Sequence, residues 1–126
     1  MNIKRKYLLF IGWLMVITVI TLSLININAA IPDVKHGDKI GHFIAYFSLM
    51  VWFAWLYPKV WVRNLYAITF IFMGGLMELL QSLTRYRTMD IDDFHVNTIG
   101  VIVGFVFAVL LANVPFIDKI FNRKHS

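Results

Sequence analysis

The sequence contains no cysteine and few charged residues. The absence of cysteine among its 126 residues excludes a disulfide framework, a thiol nucleophile and a thiolate metal site. Charged residues make up only 15% of the chain, whereas a water-soluble domain averages about 25%. Hydrophobic residues make up 60%, and the mean hydropathy is +0.72. This composition indicates a small integral membrane protein.

The chain also lacks a basic cluster of the kind that binds nucleic acid. Its formal net charge is +5 and its pI is near 9.7, but the charges are scattered between long apolar runs. An excess of positive charge distributed in this way suits a membrane surface that carries anionic lipid. We therefore expect membrane lipid, and no nucleic acid, as a partner.

Four apolar segments are long enough to cross a bilayer, which takes about 18–20 helical residues. They are residues 7–25, 40–57, 65–83 and 96–114. These spans must be helices. Lipid cannot form hydrogen bonds with backbone N–H and C=O groups, and a few strands cannot close a barrel. The connections are short, so consecutive helices should run antiparallel. The sequence predicts one domain over residues 1–126, an all-α antiparallel bundle of four transmembrane helices.

The distribution of lysine and arginine predicts which way the bundle faces. With the N-terminus inside, eight of the 12 basic residues lie on the cytoplasmic side, where basic residues are enriched. Six of the seven acidic residues then fall at the outer end. Both termini are therefore expected in the cytoplasm. Residues 27–29 weakly resemble a signal-peptide cleavage site, but the preceding apolar run exceeds the roughly 7–15 residues usual for a signal peptide, so we expect an anchor.

The predicted third helix carries an ionisable residue near its outer end. Glu78 lies about five residues inside that end, a depth of roughly 7–8 Å, and an ionisable side chain inside a membrane marks a functional site by default. Polar residues and glycines share one face of each of the last three spans. These faces carry Asp38 and His42 on the second span, Gly74, Glu78, Gln81 and Arg85 on the third, and Asp93, Asn97, Gly100 and Gly104 on the fourth. Because small residues let membrane helices approach closely, we expect the three faces to pack together and their polar residues to converge.

Simpler interpretations stay open for several of these residues. Asp38 and Asp93 could cap the N-termini of their helices, and His42 could be an interfacial histidine that reaches water. The acidic run from Asp90 to His95 could bind a divalent cation through carboxylate oxygens. However, its spacing matches no calcium-binding loop, and solvated loop acids are commoner. We therefore expect neither a metal ion nor another cofactor.

Taken together, the motifs resemble those of the VanZ-like family of small bacterial membrane proteins. The resemblance rests on D-K-x-x-H-F from Asp38, E-x-x-Q from Glu78, Arg85 and Arg87, the pair Asp92-Asp93, and N-x-x-G from Asn97. It covers about residues 7–112. It implies a multi-pass protein of the bacterial inner membrane and a link to glycopeptide (teicoplanin) resistance, but no settled biochemical activity.

The polar residues support three hypotheses. In the first, the protein is an enzyme that acts on an envelope lipid or a lipid-linked cell-wall precursor, with acid–base chemistry because no nucleophile motif is present. In the second, the same residues bind such a lipid, a precursor or a glycopeptide without catalysis. In the third, they only tie helix ends together, as buried ion pairs can. Whether the protein is an enzyme, and its oligomeric state, stay open.

Each candidate residue has a role under the first hypothesis. Asp38 would orient His42 as general base, and Glu78 would act as acid or second base. Arg85 and Arg87 would bind a phosphate or carboxylate. The candidate catalytic residues are Asp38, His42 and Glu78, and the candidate substrate-binding residues are Gln81, Arg85, Arg87, Asp92, Asp93 and Asn97.

Overall fold

The described part of the chain is entirely helical. A computed structural model describes residues 3–24, 35–83 and 91–121, and these ranges contain no strand. The helices are α1 (Ile3–Leu24), α2 (Lys35–Leu56), α3 (Val60–Ser82), α4 (Ile91–Leu111) and the short α5 (Pro115–Phe121). The prediction of an all-α protein is confirmed.

Three of these helices are long and apolar enough to cross a membrane. The qualifying segments are Ile3–Ser23 of α1, Val60–Leu80 of α3 and Asp92–Leu111 of α4. In α2 the apolar segment, Ile40–Leu56, is shorter, because the first turn of that helix is polar. The whole of α2 nevertheless has 22 residues, which corresponds to about 33 Å at 1.5 Å per residue.

The helices extend beyond the apolar segments that predicted them. Helix α2 begins at Lys35 and α4 begins at Ile91, so Asp38 and Asp93 lie within the first turns of their helices. The interpretation of these two residues as N-caps is therefore wrong. Acidic residues in a first helical turn are favoured by the partial positive charge of the helix N-terminus, which explains why the helices continue through them.

Helix α2 forms the centre of the bundle. Its most buried side chains follow a helical spacing of three and four residues and are 0–1% exposed. They are Tyr46, Leu49, Met50, Phe53, Ala54 and Leu56. Side chains on α1, α3, α4 and α5 pack against this stripe, so α2 is the helix that is best shielded from lipid.

Side-chain contacts fix the direction of the helices around α2. The indole N–H of Trp52, near the end of α2, donates to the carbonyl oxygen of Leu8, near the start of α1, at 2.9 Å. The indole N–H of Trp55 donates to the carbonyl oxygen of Ala108, near the end of α4, at 3.0 Å. Helix α2 is therefore antiparallel to α1 and parallel to α4, which is the arrangement expected when consecutive helices alternate in direction.

The short helix α5 closes one end of the bundle. Its 7 residues are too few for a membrane span, so the sequence analysis did not predict it. The ring of Phe121 lies 5.0 Å from that of Trp52 and 5.5 Å from that of Trp55. The ammonium group of Lys4, at the start of α1, donates to the carbonyl oxygen of Lys119 in α5. The N-terminal end of α1 and the helix α5 therefore lie at the same end of the molecule.

Candidate functional site

Three ionisable side chains meet at the other end of the bundle. His42 lies in the second turn of α2, Glu78 lies near the end of α3, and Asp93 lies in the first turn of α4. One nitrogen or oxygen atom from each side chain lies within 4.8 Å of the other two. We call these three residues the polar cluster. Each comes from a different helix, so the cluster exists only in the folded bundle.

The polar cluster is largely removed from solvent. Glu78 is 1% exposed and Asp93 is 7% exposed, while the side chain of His42 is 10% exposed. A buried ionisable group is costly unless other charges or hydrogen bonds compensate it. Concentrating three such groups at one point therefore indicates either a tightly matched structural contact or a site that binds something.

His42 faces a carboxylate that belongs to another helix. Its Nε2 lies 4.0 Å from Oδ2 of Asp93. That separation is too long for a direct hydrogen bond, which spans about 2.7–3.2 Å, but short enough for a charge interaction when the imidazole is protonated. The sequence had assigned the orienting role to Asp38, which lies one turn before His42 on α2. The side chain of Asp38 lies outside the described part of the structure.

Glycines allow the helices to approach closely enough to form the polar cluster. A Cβ atom at Gly104 would lie 2.7 Å from the carbonyl oxygen of Phe47, and one at Gly100 would lie 2.9 Å from that of Phe43. The backbones of α2 and α4 are therefore in direct contact at both positions. On α3, a Cβ atom at Gly74 would lie 3.1 Å from Cβ of Asn97. The glycines singled out in the sequence lie at these contacts.

Asn97 lies directly below the polar cluster, which here means one helical turn closer to the middle of the bundle. It is one helical turn beyond Asp93 on α4, and it packs against Gly74, which is one turn before Glu78 on α3. Asn97 is 1% exposed, and neither its amide nitrogen nor its amide oxygen has a hydrogen-bond partner among the described residues. Buried side-chain amides are nearly always hydrogen-bonded to protein or to ordered water, so both polar atoms of this amide can bind a further polar group.

Tyr46 is a site residue that the sequence analysis did not select. It lies one turn below His42 on α2 and is fully buried, and its hydroxyl interacts electrostatically with the Glu78 carboxylate. Within the described ranges that hydroxyl has no hydrogen-bond partner. The four-residue spacing from His42 was the available signal, but the many aromatic residues of this span obscured it.

Among the remaining predicted site residues, only Asp92 has a side chain that the structure describes. Asp92 is exposed in the first turn of α4, next to the buried Asp93. Gln81 lies in the last turn of α3, and its side chain is outside what the structure describes. Arg85 and Arg87 lie between the described ranges, so their roles stay predictions.

The polar cluster combines one imidazole with two carboxylates. Such a set can transfer protons, because an imidazole changes charge near neutral pH and a carboxylate can hold it in place. The same three groups are also ligands for divalent metal ions. Asn97 and Tyr46 add polar atoms below the cluster that can orient a bound group.

Comparison with known proteins identifies a family. A family model described as VanZ/LLP1 matches residues 3–112, a range that includes the polar cluster, Asn97, Tyr46 and the contact glycines. No curated protein and no solved structure matches the chain.

Proposed function

Because the chain belongs to the VanZ/LLP1 family and buries three ionisable side chains at one end of a membrane bundle, we propose that it binds and acts on the polar headgroup of an envelope lipid or a lipid-linked cell-wall precursor. The observation that carries this proposal is the burial of Glu78, His42 and Asp93 within 4.8 Å of one another. Ionisable residues inside a membrane protein that face the bundle interior are typical of sites that handle substrates or protons.

The position of the polar cluster favours a lipid-linked ligand over a freely soluble one. The cluster lies near the ends of α2, α3 and α4, where the helices reach the depth of lipid headgroups. Large apolar side chains such as Phe72, Leu76 and Leu79 of α3 are exposed on the surface around and below it, and lipid tails would cover them. A headgroup could therefore reach the cluster while its acyl or prenyl chain stays in the bilayer.

Each described residue has a role in this proposal. His42 accepts a proton from the bound headgroup, and Asp93 stabilises the imidazolium that forms. Glu78 donates a hydrogen bond to another oxygen atom of the headgroup. Asn97 and Tyr46 orient the headgroup from below through hydrogen bonds. Arg85 and Arg87 follow α3 in the sequence and stay the proposed anion-binding residues, because paired arginines bind phosphate and carboxylate well.

The orientation of the bundle forms part of the proposal. All four long helices would cross the bacterial inner membrane, with both termini in the cytoplasm. The end opposite the polar cluster carries the basic residues Lys4, Arg5, Lys6, Lys59 and Lys119, and the positive-inside rule assigns that end to the cytoplasm. The polar cluster would then face the outer leaflet, where cell-wall precursors are used.

The proposal is tested by comparing the wild-type protein with Glu78→Gln in lipid nanodiscs. The amide keeps the size of the side chain but cannot ionise or transfer a proton. Binding of a lipid-linked cell-wall precursor, and any product formed from it, would be measured by mass spectrometry. We expect wild type to bind or convert the precursor and Glu78→Gln to lose at least about tenfold in rate or affinity, as loss of a proton-transfer group commonly costs 10²–10⁴-fold in rate.

The matched control is Asp118→Asn, which removes one acidic charge in α5 at the opposite end of the bundle. It should behave like wild type. Equal activity of wild type and Glu78→Gln would contradict the proposal, and so would the absence of any binding by wild type. The same assay with teicoplanin as the ligand tests the link to glycopeptide resistance.

A second comparison separates a binding site from a purely structural contact. If Glu78 only neutralises an arginine, Glu78→Gln leaves a buried charge unpaired, which costs about 3–5 kcal/mol of stability. Adding Arg85→Gln or Arg87→Gln should then restore the melting temperature in detergent. We expect instead that Glu78→Gln is stable but inactive and that neither double variant regains function.

A further inference from the structure

We propose that His42, Glu78 and Asp93 form a binding site for one divalent transition-metal ion, zinc or manganese. This inference goes beyond the proposed function and gives His42 and Glu78 a different role, because an imidazole or carboxylate that binds a metal ion cannot also exchange a proton at the bound atom. A lipid headgroup could still bind beside the ion. It also differs from the cation site considered from the sequence, the acidic run from Asp90 to His95. Of that run only Asp93 belongs to the present cluster, and Asp92 and His95 are exposed.

The donor set fits transition-metal ions better than calcium or magnesium. An imidazole nitrogen binds zinc, manganese and iron, whereas calcium and magnesium prefer oxygen ligands alone. The two carboxylates supply the negative charge that a divalent cation requires. The chain contains no cysteine, so a thiolate site of the structural zinc type is excluded.

The geometry lies close to that of a three-ligand site. Zinc with nitrogen and oxygen ligands at about 2.0–2.2 Å places neighbouring ligand atoms about 3.3–3.5 Å apart. His42 Nε2 and Asp93 Oδ2 are 4.0 Å apart, and the ligand atoms of all three residues lie within 4.8 Å of one another. Small rotations of the side chains would therefore bring the three ligand atoms to bonding distance without moving the helices.

The helices hold the three ligands in place. The contacts at Gly100 and Gly104 fix α4 against α2, so they set the separation of Asp93 and His42. The contact of Gly74 with Asn97 fixes α3 against α4, so it sets the separation of Glu78 and Asp93. A site assembled from three rigid elements is pre-organised, which is the arrangement that metal binding favours.

A second observation points independently to a ligand at this position. Asn97 is 99% buried, directly below Glu78 and Asp93, and both polar atoms of its amide lack a hydrogen-bond partner among the described residues. The hydroxyl of Tyr46, one turn below His42, is in the same situation. A water molecule or an anion bound to the metal ion would satisfy these groups, since three protein ligands leave at least one coordination position open.

The test measures metal binding directly on the full-length protein. The chain would be purified in detergent without a histidine tag, and its zinc and manganese content would be determined by elemental analysis. After removal of metal with a chelator, zinc chloride and manganese chloride would be titrated in competition with a chromophoric chelator. We expect close to one metal ion per chain and one competing site in wild type.

The variants are chosen as matched pairs. His42→Gln and Asp93→Asn each remove a proposed ligand. The control variants His95→Gln and Asp118→Asn make the same chemical changes at an exposed position of α4 and in α5 at the opposite end of the bundle. We expect the ligand variants to lose more than about 100-fold in affinity, because even partners that only support a ligand are worth about 10–100-fold. The control variants should bind like wild type.

Folding of each variant would be checked by circular dichroism, and added zinc should raise the melting temperature of metal-free wild type. The proposal is overturned if wild type binds neither metal, or if the ligand variants and the control variants bind equally well. A protein that binds the lipid-linked precursor but no metal would refute the metal site alone. A protein that holds the metal but binds no precursor would refute only the proposed function.

Discussion

At the residue scale, packing alone does not explain why the side chain of Tyr46 is buried. A buried hydroxyl without a hydrogen bond costs about 1–3 kcal/mol, and phenylalanine would fill the same space without that cost. The hydroxyl interacts electrostatically with the Glu78 carboxylate, and Tyr46 lies one helical turn from His42 on α2. Its presence in the centre of the bundle is therefore best explained by a group that it binds at the polar cluster.

We predict that Tyr46→Phe separates this role from stability. The melting temperature in detergent should stay the same or rise, because the variant removes a buried polar group and keeps the aromatic packing. Binding of the lipid-linked precursor should fall. The control is Tyr66→Phe, since the Tyr66 ring stacks on that of Tyr57 at the opposite end of the bundle, and loss of its hydroxyl should leave binding intact. Unchanged binding by Tyr46→Phe would remove this residue from the site.

The site residues differ in how well the sequence alone predicted their role. Glu78 could be selected because a single acid within an apolar run is expensive. The convergence of the faces that carry His42 and Asp93 could also be predicted, but the pairing of these two residues could not, because it depends on the rotation of two helices about their axes. Tyr46 was hidden for another reason: an aromatic residue on a membrane helix usually packs against other side chains or lipid, so its spacing carries little information.

At the element scale, the contact between α2 and α4 holds the site together. The sequence showed that Gly100 and Gly104 form a small-residue face, but it could not show which helix they would meet. The structure places the backbone of α2 at Phe43 and Phe47 against them. The two helices that meet here are parallel because the chain reverses direction once between α2 and α3 and again between α3 and α4.

We predict that Gly104→Ala weakens this contact. The added Cβ would lie 2.7 Å from the carbonyl oxygen of Phe47, so α2 and α4 would have to separate at a cost of about 1–3 kcal/mol. Gly41→Ala is the matched control on α2, because a Cβ there would meet no atom within 4 Å. That change should be neutral or stabilise the helix by up to about 1 kcal/mol. Thermal unfolding in detergent would measure both, and equal melting temperatures would show that close contact at Gly104 is unimportant.

At the scale of the whole molecule, the two ends of the bundle differ in chemistry. One end carries the polar cluster, and the other carries basic residues packed against aromatic rings. The guanidinium of Arg5 lies 5.0 Å from the ring centre of Tyr57, and that of Arg63 lies 5.1 Å from the ring centre of Phe105. Such contacts hold a cation at the edge of an apolar core. The sequence predicted this asymmetry because consecutive helices alternate in direction, so every second connection lies at the same end.

The length of α2 bears on whether four helices or three cross the membrane. Its apolar segment, Ile40–Leu56, is short for a helix surrounded by lipid. However, α2 is the central helix, and its neighbours cover much of its surface. Polar residues in its first turn would lie at headgroup depth, where lysine side chains reach water. A central helix of 22 residues can therefore span with fewer apolar residues than a peripheral one.

Single cysteines test this topology, because the chain contains none of its own. Asp92→Cys places a thiol at an exposed position beside the polar cluster, and Lys59→Cys places one at an exposed position at the basic end. In intact cells, a thiol reagent that cannot cross membranes should label Asp92→Cys and leave Lys59→Cys unlabelled until the cells are opened. The reverse pattern would turn the polar cluster toward the cytoplasm, and a precursor would then have to reach it from the inner leaflet. Labelling of both positions from one side would contradict the alternation of helices across the membrane, because α3, the helix between them, would then have to lie within the membrane without crossing it.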